Sequence, residues 1–177
     1  MRVAVYLGSS CGHDPKYAEY AAELGTAIGR NGFSMVYGGA DDGLMGITAN
    51  HAIEAGAEVI GVIPEFFLSR GHKHLNRTYV VKSMPERKQK MIELSDAFVA
   101  MPGGWGTLDE IVEVISLVRI GIVQKPAVFF SPDGYYDCLR DFFDKMVWEG
   151  FLEQESLDKI QFAASIDEVM ERIRQGS

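Results

Sequence analysis

Residues 101–110 read Met-Pro-Gly-Gly-Trp-Gly-Thr-Leu-Asp-Glu, three glycines between an apolar run (Ala97–Met101) and a strongly apolar helical run (Leu108–Ile120). Glycine lets backbone N–H groups turn toward an anion without hindrance from a Cβ. A helix N-terminus directly behind adds free N–H donors and a partial positive charge. Strand, glycine loop and helix together make a phosphate cradle. The stretch also ends on a carboxylate, Glu110, and a site built only to hold phosphate gains nothing from a like charge. Two chemistries fit that glutamate. In the pattern S/T-x-x-E it closes a capping box on Thr107, or it faces a centre that becomes positive during a reaction. The spacing leaves both open.

Arg87 is the second candidate. In a helix from Met84 it falls three residues after Met84 and four before Met91. It therefore shares the apolar face with Met84, Met91 and Leu94, while Gln89, Lys90 and Glu93 point away. A guanidinium aimed inward needs an anionic partner; the alternative is a side chain that snorkels past the methionines to water. Lys88 shares part of the same arc. Residues 70–90 hold seven of the 17 Lys and Arg, together with His72 and His74, against one acidic residue, Glu86. In a chain of net charge −8, such a segment suggests a small anionic ligand, or else a solvated cationic face. The overall charge argues against nucleic acid as a partner.

These groups need a scaffold that gathers them. Strands are expected at Arg2–Leu7, Ser34–Tyr37, Glu58–Ile63, Thr78–Val81, Ala97–Met101 and Ala127–Phe130. Helices are expected at Pro15–Asn31, Leu44–Ala55, Met84–Leu94, Leu108–Ile120, Tyr135–Glu149 and Ile166–Gln175. The alternation predicts an α/β, Rossmann-like, doubly wound single domain, with a mainly parallel sheet covered by helices on both faces. Asp14-Pro15 reads as a helix start, Asn31-Gly32 as a stop, and Ser83–Glu86 as a capping box. Ligands of such sheets bind beyond the carboxyl ends of the strands. Three glycine turns fall there: Gly8-Ser9-Ser10, Gly38-Gly39-Ala40 and Pro102–Thr107.

Other chemistries lack their residues. No G-x-x-x-x-G-K-[ST] is present, and no G-x-G-x-x-G follows the first strand, which demotes ATP hydrolysis and hydride transfer. Cys11 and Cys138 give neither a disulfide framework nor a metal spacing, so a reduced, cytoplasmic chain fits and no metal is expected. No apolar run is long enough for a transmembrane helix. The run Val3–Leu7 is too short for a signal peptide. Helix Leu108–Ile120 is apolar around much of its circumference, more than one sheet face requires, which suggests a homodimer contact or a deeply central helix.

Pro102–Glu110 together with Met84-x-x-Arg87-Lys88 resembles the paired signatures PGGxGTxxE and M-x-x-R-K of the LOG family, the cytokinin riboside 5′-monophosphate phosphoribohydrolases, often mislabelled lysine decarboxylases. Gly8-Ser9-Ser10 and Tyr37-Gly38-Gly39 resemble the family's first two loops, and the similarity runs to about Gly150. The resemblance implies a Rossmann-like homodimer without cofactor. Its reaction would cleave the N-glycosidic bond of an adenine-type nucleoside 5′-monophosphate, giving free base and ribose 5-phosphate. It implies Arg87 and Glu110 as catalytic residues, with Gly103, Gly104, Gly106 and Thr107 on the phosphate. Gly8, Ser9, Gly38, Gly39, Met84, Lys88, Trp105 and Asp109 complete the implied substrate-binding set, Asp109 at a ribose hydroxyl. Three positions depart from the family pattern: Ala40 for a third glycine, Gly71 for a glutamate, and Pro85 for a histidine. They bear on base selectivity more than on bond cleavage. No lysine sits where pyridoxal phosphate chemistry would need one. On this reading Glu110 stabilises the oxocarbenium-like carbon and orients water, while Arg87 binds phosphate or helps the base depart. The reading from a different class is a nucleotide-binding or carrier protein without turnover; it uses the glycine loops but requires neither Arg87 nor Glu110.

Overall fold

The structure, a computed structural model, describes residues 1–175. Its strands are β1 (Arg2–Tyr6), β2 (Ser34–Tyr37), β3 (Val59–Pro64), β4 (Arg77–Val81), β5 (Ala97–Ala100), β6 (Ala127–Phe130) and β7 (Ile160–Ala163). The helices are α1 (Lys16–Arg30), α2 (Gly43–Glu54), α3 (Met84–Leu94), α4 (Trp105–Arg119), α5 (Asp137–Trp148), α6 (Gln154–Asp158) and α7 (Ile166–Gln175). A 3-10 segment, Glu65–Arg70, lies between β3 and β4. All strand pairs are parallel, in the order β4-β3-β2-β1-β5-β6-β7. The chain winds outward in one direction from β1 to β4 and in the other from β5 to β7. The switch point lies between β1 and β5, where Val3 pairs with Ala97 and Tyr6 with Ala100. This is the expected doubly wound α/β fold.

The central strands alternate their side chains between two cores. Val3 and Val5 face a layer containing Leu24, Ile28, Leu44, Val169 and Ile173 from α1, α2 and α7. Ala4 and Tyr6 face Met91, Ile111, Val114 and Phe143 from α3, α4 and α5. β1, β2, β3, β5 and β6 are thus buried on both sides, which is why their sequences are continuous apolar runs rather than alternating ones.

The helix signals hold with small shifts. Asp14 Oδ1 accepts from the Lys16 N–H at 3.0 Å, and Gly32 leaves α1 at φ 68°. Ser83 Oγ accepts from the Glu86 N–H at 3.3 Å, but Glu86 reaches back to the N–H of Lys82 rather than Ser83. Two boundaries differ more. β7 was not expected; it is a partly buried edge strand and lacks the continuous apolar signature of the inner ones. And α4 begins at Trp105, three residues before the expected start. Glycine is a poor helix former in an interior, but the first turn has no inward N–H bond to lose, so Gly106 is tolerated there.

Candidate active site

A cavity of about 310 Å³ opens over the carboxyl ends of the central strands. Leu7, Gly8 and Ser9 from the end of β1, Gly38 and Ala40 after β2, Ile63 and Pro64 of β3, and the N-terminal turn of α4 line it. Across β5, β1, β2 and β3 this edge is about 14 Å long, at roughly 4.8 Å per strand. The cavity therefore sits at the switch point, where the chain leaves β1 and β5 in opposite directions and a crevice must open.

Its β5 end is made of backbone. Gly104 occupies the N-cap position of α4, no side chain caps that end, and Gly104, Trp105, Gly106 and Thr107 all line the cavity. The first-turn N–H groups have no partner within the helix and, with the helix dipole, present positive potential to a ligand. Gly103 cannot carry a side chain: a Cβ there would run into Thr107 Oγ1 and stand 3.0 Å from the Gly8 nitrogen. The β1 and β5 loops thus touch backbone to backbone, and Gly8 N–H donates to Pro102 O at 3.3 Å.

The earlier start of α4 removes the capping-box alternative for Glu110. Thr107 is the third residue of the helix rather than its cap, so Glu110 lies in the second turn. From there its carboxylate is 8 % exposed and its Oε1 accepts from Arg87 Nη1 at 2.5 Å. Arg87 is equally buried, as its helical phase predicted, and three elements fix it. Its own α3 carries it, Nε donates to the Val62 carbonyl of β3 at 3.0 Å, and Nη2 fills the space a Cβ would need at Gly38. Burial pushes the Glu110 carboxyl above the usual carboxylate range, against the opposing pull of Arg87. Tyr6 lies behind the pair; its phenol is raised well above the ordinary value, first by burial and then by the Glu110 charge.

Of the other sequence candidates, Gly8, Ser9, Gly38 and Met84 line the cavity, as does Trp105, whose side chain is largely in solvent. Gly39 turns the chain with φ 78° beneath the lining. Lys88 and Asp109 meet each other instead: Lys88 Nζ lies 2.9 Å from Asp109 and 2.7 Å from Glu113, tying α3 to α4 beside the Arg87–Glu110 pair. The basic segment is similarly dispersed. Arg70 pairs with Asp42 at 2.6 Å and Lys90 with Glu93 at 3.3 Å, and of its basic side chains Arg70 and Arg87 line the cavity. At the opposite end sequence reasoning reached Arg70, through the basic segment, and Ala40, through the departures from the family pattern, but missed the apolar lining. Met45, Ile63, Pro64, Phe67 and Arg70 line that end, and Phe66-Phe67-Leu68, an apolar triplet after Pro64-Glu65, was the available signal.

α4 is not a deeply central helix. Ile111, Val114 and Val118 bury one stripe with Thr107 and Glu110, while Val112 is exposed, as are Ile120 and Ile122 just beyond the helix.

Comparison with known proteins gives a consistent answer. The family described as "Possible lysine decarboxylase" matches residues 45–173. A cytokinin riboside 5′-monophosphate phosphoribohydrolase of Arabidopsis thaliana is 38% identical over 174 residues, covering 97% of this chain and 82% of the relative. One from Oryza sativa subsp. japonica is 37% identical over 176 residues, covering 98% and 73%. Among solved structures, a molybdenum cofactor binding protein from Rippkaea orientalis superposes with TM-score 0.77 at 22% identity, over 98% of this chain and 95% of that one. A molybdenum cofactor carrier protein from Chlamydomonas reinhardtii gives 0.76 at 22%, over 99% and 96%. At that identity these two share the fold and nothing more specific. Near-full-length similarity to the phosphoribohydrolases, with the Arg87 and Glu110 segments inside the residues that the family matches, makes this chain a member of the LOG family.

Proposed function

We propose that this chain hydrolyses the N-glycosidic bond of adenine-type nucleoside 5′-monophosphates, releasing free base and ribose 5-phosphate. One observation carries the reading: a buried Arg87–Glu110 pair and an uncapped glycine-rich helix N-terminus line the same cavity. A binder of phosphate alone has no use for Glu110, which repels that ligand.

The 5′-phosphate sits on the N–H groups of Gly104–Thr107 and fixes the sugar, so binding energy remote from C1′ positions the reacting carbon. Glu110 faces C1′. As the C1′–N9 bond lengthens, its electron pair leaves with the base and C1′ turns cationic; the carboxylate stabilises that charge and directs a water to the carbon. The water supplies the oxygen bonded to C1′ and the proton that the departing base acquires. Arg87 holds the carboxylate in place, and its guanidinium serves the phosphate or the departing base. The apolar end, with Met45, Ile63, Pro64 and Phe67, takes the purine.

The chain works as a homodimer on this reading, with the exposed apolar side of α4 and the Ile120–Ile122 turn against a second copy. A sedimentation mass equal to one chain overturns that part. Exposed, unpaired Cys11 and Cys138 accord with a reducing, cytoplasmic setting. Incubation with AMP, and separately with isopentenyl-adenosine monophosphate, followed by chromatography for the free base, tests the activity. Base release from either supports it; tight binding of both without release identifies a nucleotide binder instead.

A further inference from the structure

The 3-10 segment Glu65–Arg70 contains no buried residue, yet Phe67 and Arg70 form part of the cavity wall. Something other than its own packing must hold it. Part of the answer is a backbone clasp: Asp41 N–H donates to Arg70 O at 3.0 Å, His72 N–H donates to Gly39 O at 2.9 Å, and Ala40 and Gly71 form an antiparallel bridge. The clasp ends in His72, whose side chain is 1 % exposed although it belongs to a connecting segment.

The hydrogen bonds of that ring define its state. The N–H of His74 donates to Nδ1 at 3.1 Å. A backbone N–H can only donate, so Nδ1 is the unprotonated nitrogen and Nε2 carries the hydrogen. Nε2 lies 3.1 Å from Asn50 Oδ1 of α2 and 3.5 Å from Asp41 Oδ1. One bond therefore closes within the segment, and the other fastens the segment to the scaffold. Arg70 adds an outer tie through Asp42 and lies 5.9 Å over the Phe67 ring, but its side chain is half exposed and such a pair contributes little by itself.

We propose that His72 is a positioning residue for the base end of the cavity: by donating from Nε2 to α2 it bolts the Glu65–His74 strap in place, so that Phe67 and Arg70 meet the purine. The proposal rests on the reading that a nucleotide occupies this cavity with its phosphate on α4.

Three substitutions separate the two bonds. His72→Ala loses both and raises KM for AMP about tenfold, with kcat and inhibition by ribose 5-phosphate close to wild type. The Gln amide nitrogen can reach the Nε2 position and keep the bond to α2, so His72→Gln recovers most of the affinity. The Asn amide oxygen can replace only Nδ1, within the strap, so His72→Asn behaves like alanine. Hydrogen exchange at the Asp41 and His72 amides, read without any ligand, speeds up in His72→Ala and His72→Asn and stays slow in His72→Gln. An unchanged KM in His72→Ala, a loss shared equally by ribose 5-phosphate, or a glutamine variant no better than alanine overturns the proposal. Should His72→Ala not fold, the double variant Asp41→Ala/Asn50→Ala removes the acceptors from the protein surface and must raise KM alike; an unchanged KM there also overturns it. A wild-type protein that binds AMP but releases no base defeats the hydrolase reading alone. The His72 proposal is then decided by AMP affinity from calorimetry together with the same exchange rates.

Discussion

The two ends of the cavity are built by different means. At the β5 end the wall is backbone: Gly104 and the N-terminal turn of α4, held from behind by the close approach of Gly103 to Thr107 and Gly8. At the β3 end the wall is side chains on a strap that has no buried residue in its 3-10 turn and is held by hydrogen bonds. A backbone wall suits a group that every substrate shares, because N–H groups cannot change with the sequence. A side-chain wall suits the part that varies. Between them lie Arg87 and Glu110, carried on separate helices; in the proposed orientation this is where the common and variable parts of a nucleotide would join.

The sharpest way to break this comparison is to remove the charge at its middle. Glu110→Gln keeps the shape and an oxygen for Arg87, so the cavity survives, yet turnover falls on the order of 10³-fold. Because burial holds the Glu110 carboxyl toward its neutral form in the folded state, the neutral amide should leave stability close to wild type rather than lower it. Circular dichroism and a melting curve check the fold, and a variant that turns over at near the wild-type rate removes Glu110 from the mechanism. The same residue sets a pH dependence. Burial raises its carboxyl above the ordinary value of about 4.3, and the reaction needs the ionised form. The acid limb of kcat/KM therefore lies above the range of an unperturbed glutamate. Stability has the opposite sign: the folded state holds this proton more tightly than the unfolded chain. The contribution of Glu110 is present below its unfolded pKa and is lost as pH rises through its folded value. An acid limb at or below the ordinary carboxylate value contradicts this assignment.

A smaller effect tests the backbone end. Apart from its chain neighbours and the backbone of its own helix, nothing lies within 4 Å of where a Cβ at Gly106 would stand, and the position lines the cavity. Gly106→Val therefore fits the fold but intrudes on a phosphate. It should leave the melting temperature nearly unchanged while weakening both AMP and ribose 5-phosphate about tenfold to a hundredfold, the worth of one charge-assisted hydrogen bond. Gly103→Ala has the reverse profile, because its Cβ meets Thr107 and lowers stability first. Wild-type inhibition by ribose 5-phosphate in Gly106→Val places the phosphate elsewhere.

The same contrast governs what the sequence disclosed. The backbone end was legible because glycines bunched before an apolar helix mark a close approach, and Arg87 because its phase with Met84 and Met91 aims it inward. Even there the start of α4 was misplaced: glycines count against a helix in any window, while the exemption of the first turn is a property of hydrogen-bond geometry. Lys88 shares the arc of Arg87 but stops on Asp109 and Glu113, since one residue of helical rotation separates the cavity from its rim. The apolar triplet marks the strap, but its place at the cavity was not legible, for a deeper reason. Phe67 and Arg70 reach the cavity only because the β3–β4 crossover folds back onto the β2 loop through Asp41, His72 and Asn50, contacts between residues up to 33 positions apart along the chain that no local pattern encodes.

The smallest effect belongs to that strap and is the most discriminating. Phe67 is 41 % exposed, and only that exposed part of its surface is left for a base to cover. Phe67→Ala should raise KM for AMP about threefold, in line with an incremental apolar burial near 0.7 kcal/mol. The rise should be greater for an N6-isopentenyl substrate, whose added hydrocarbon has the ring as a neighbour. Ribose 5-phosphate has no base and should inhibit this variant as it does the wild type, the opposite of its response to Gly106→Val. If Phe67→Ala weakens ribose 5-phosphate and spares the isopentenyl nucleotide, the nucleotide lies the other way round, and the strap rather than the glycine helix receives the phosphate.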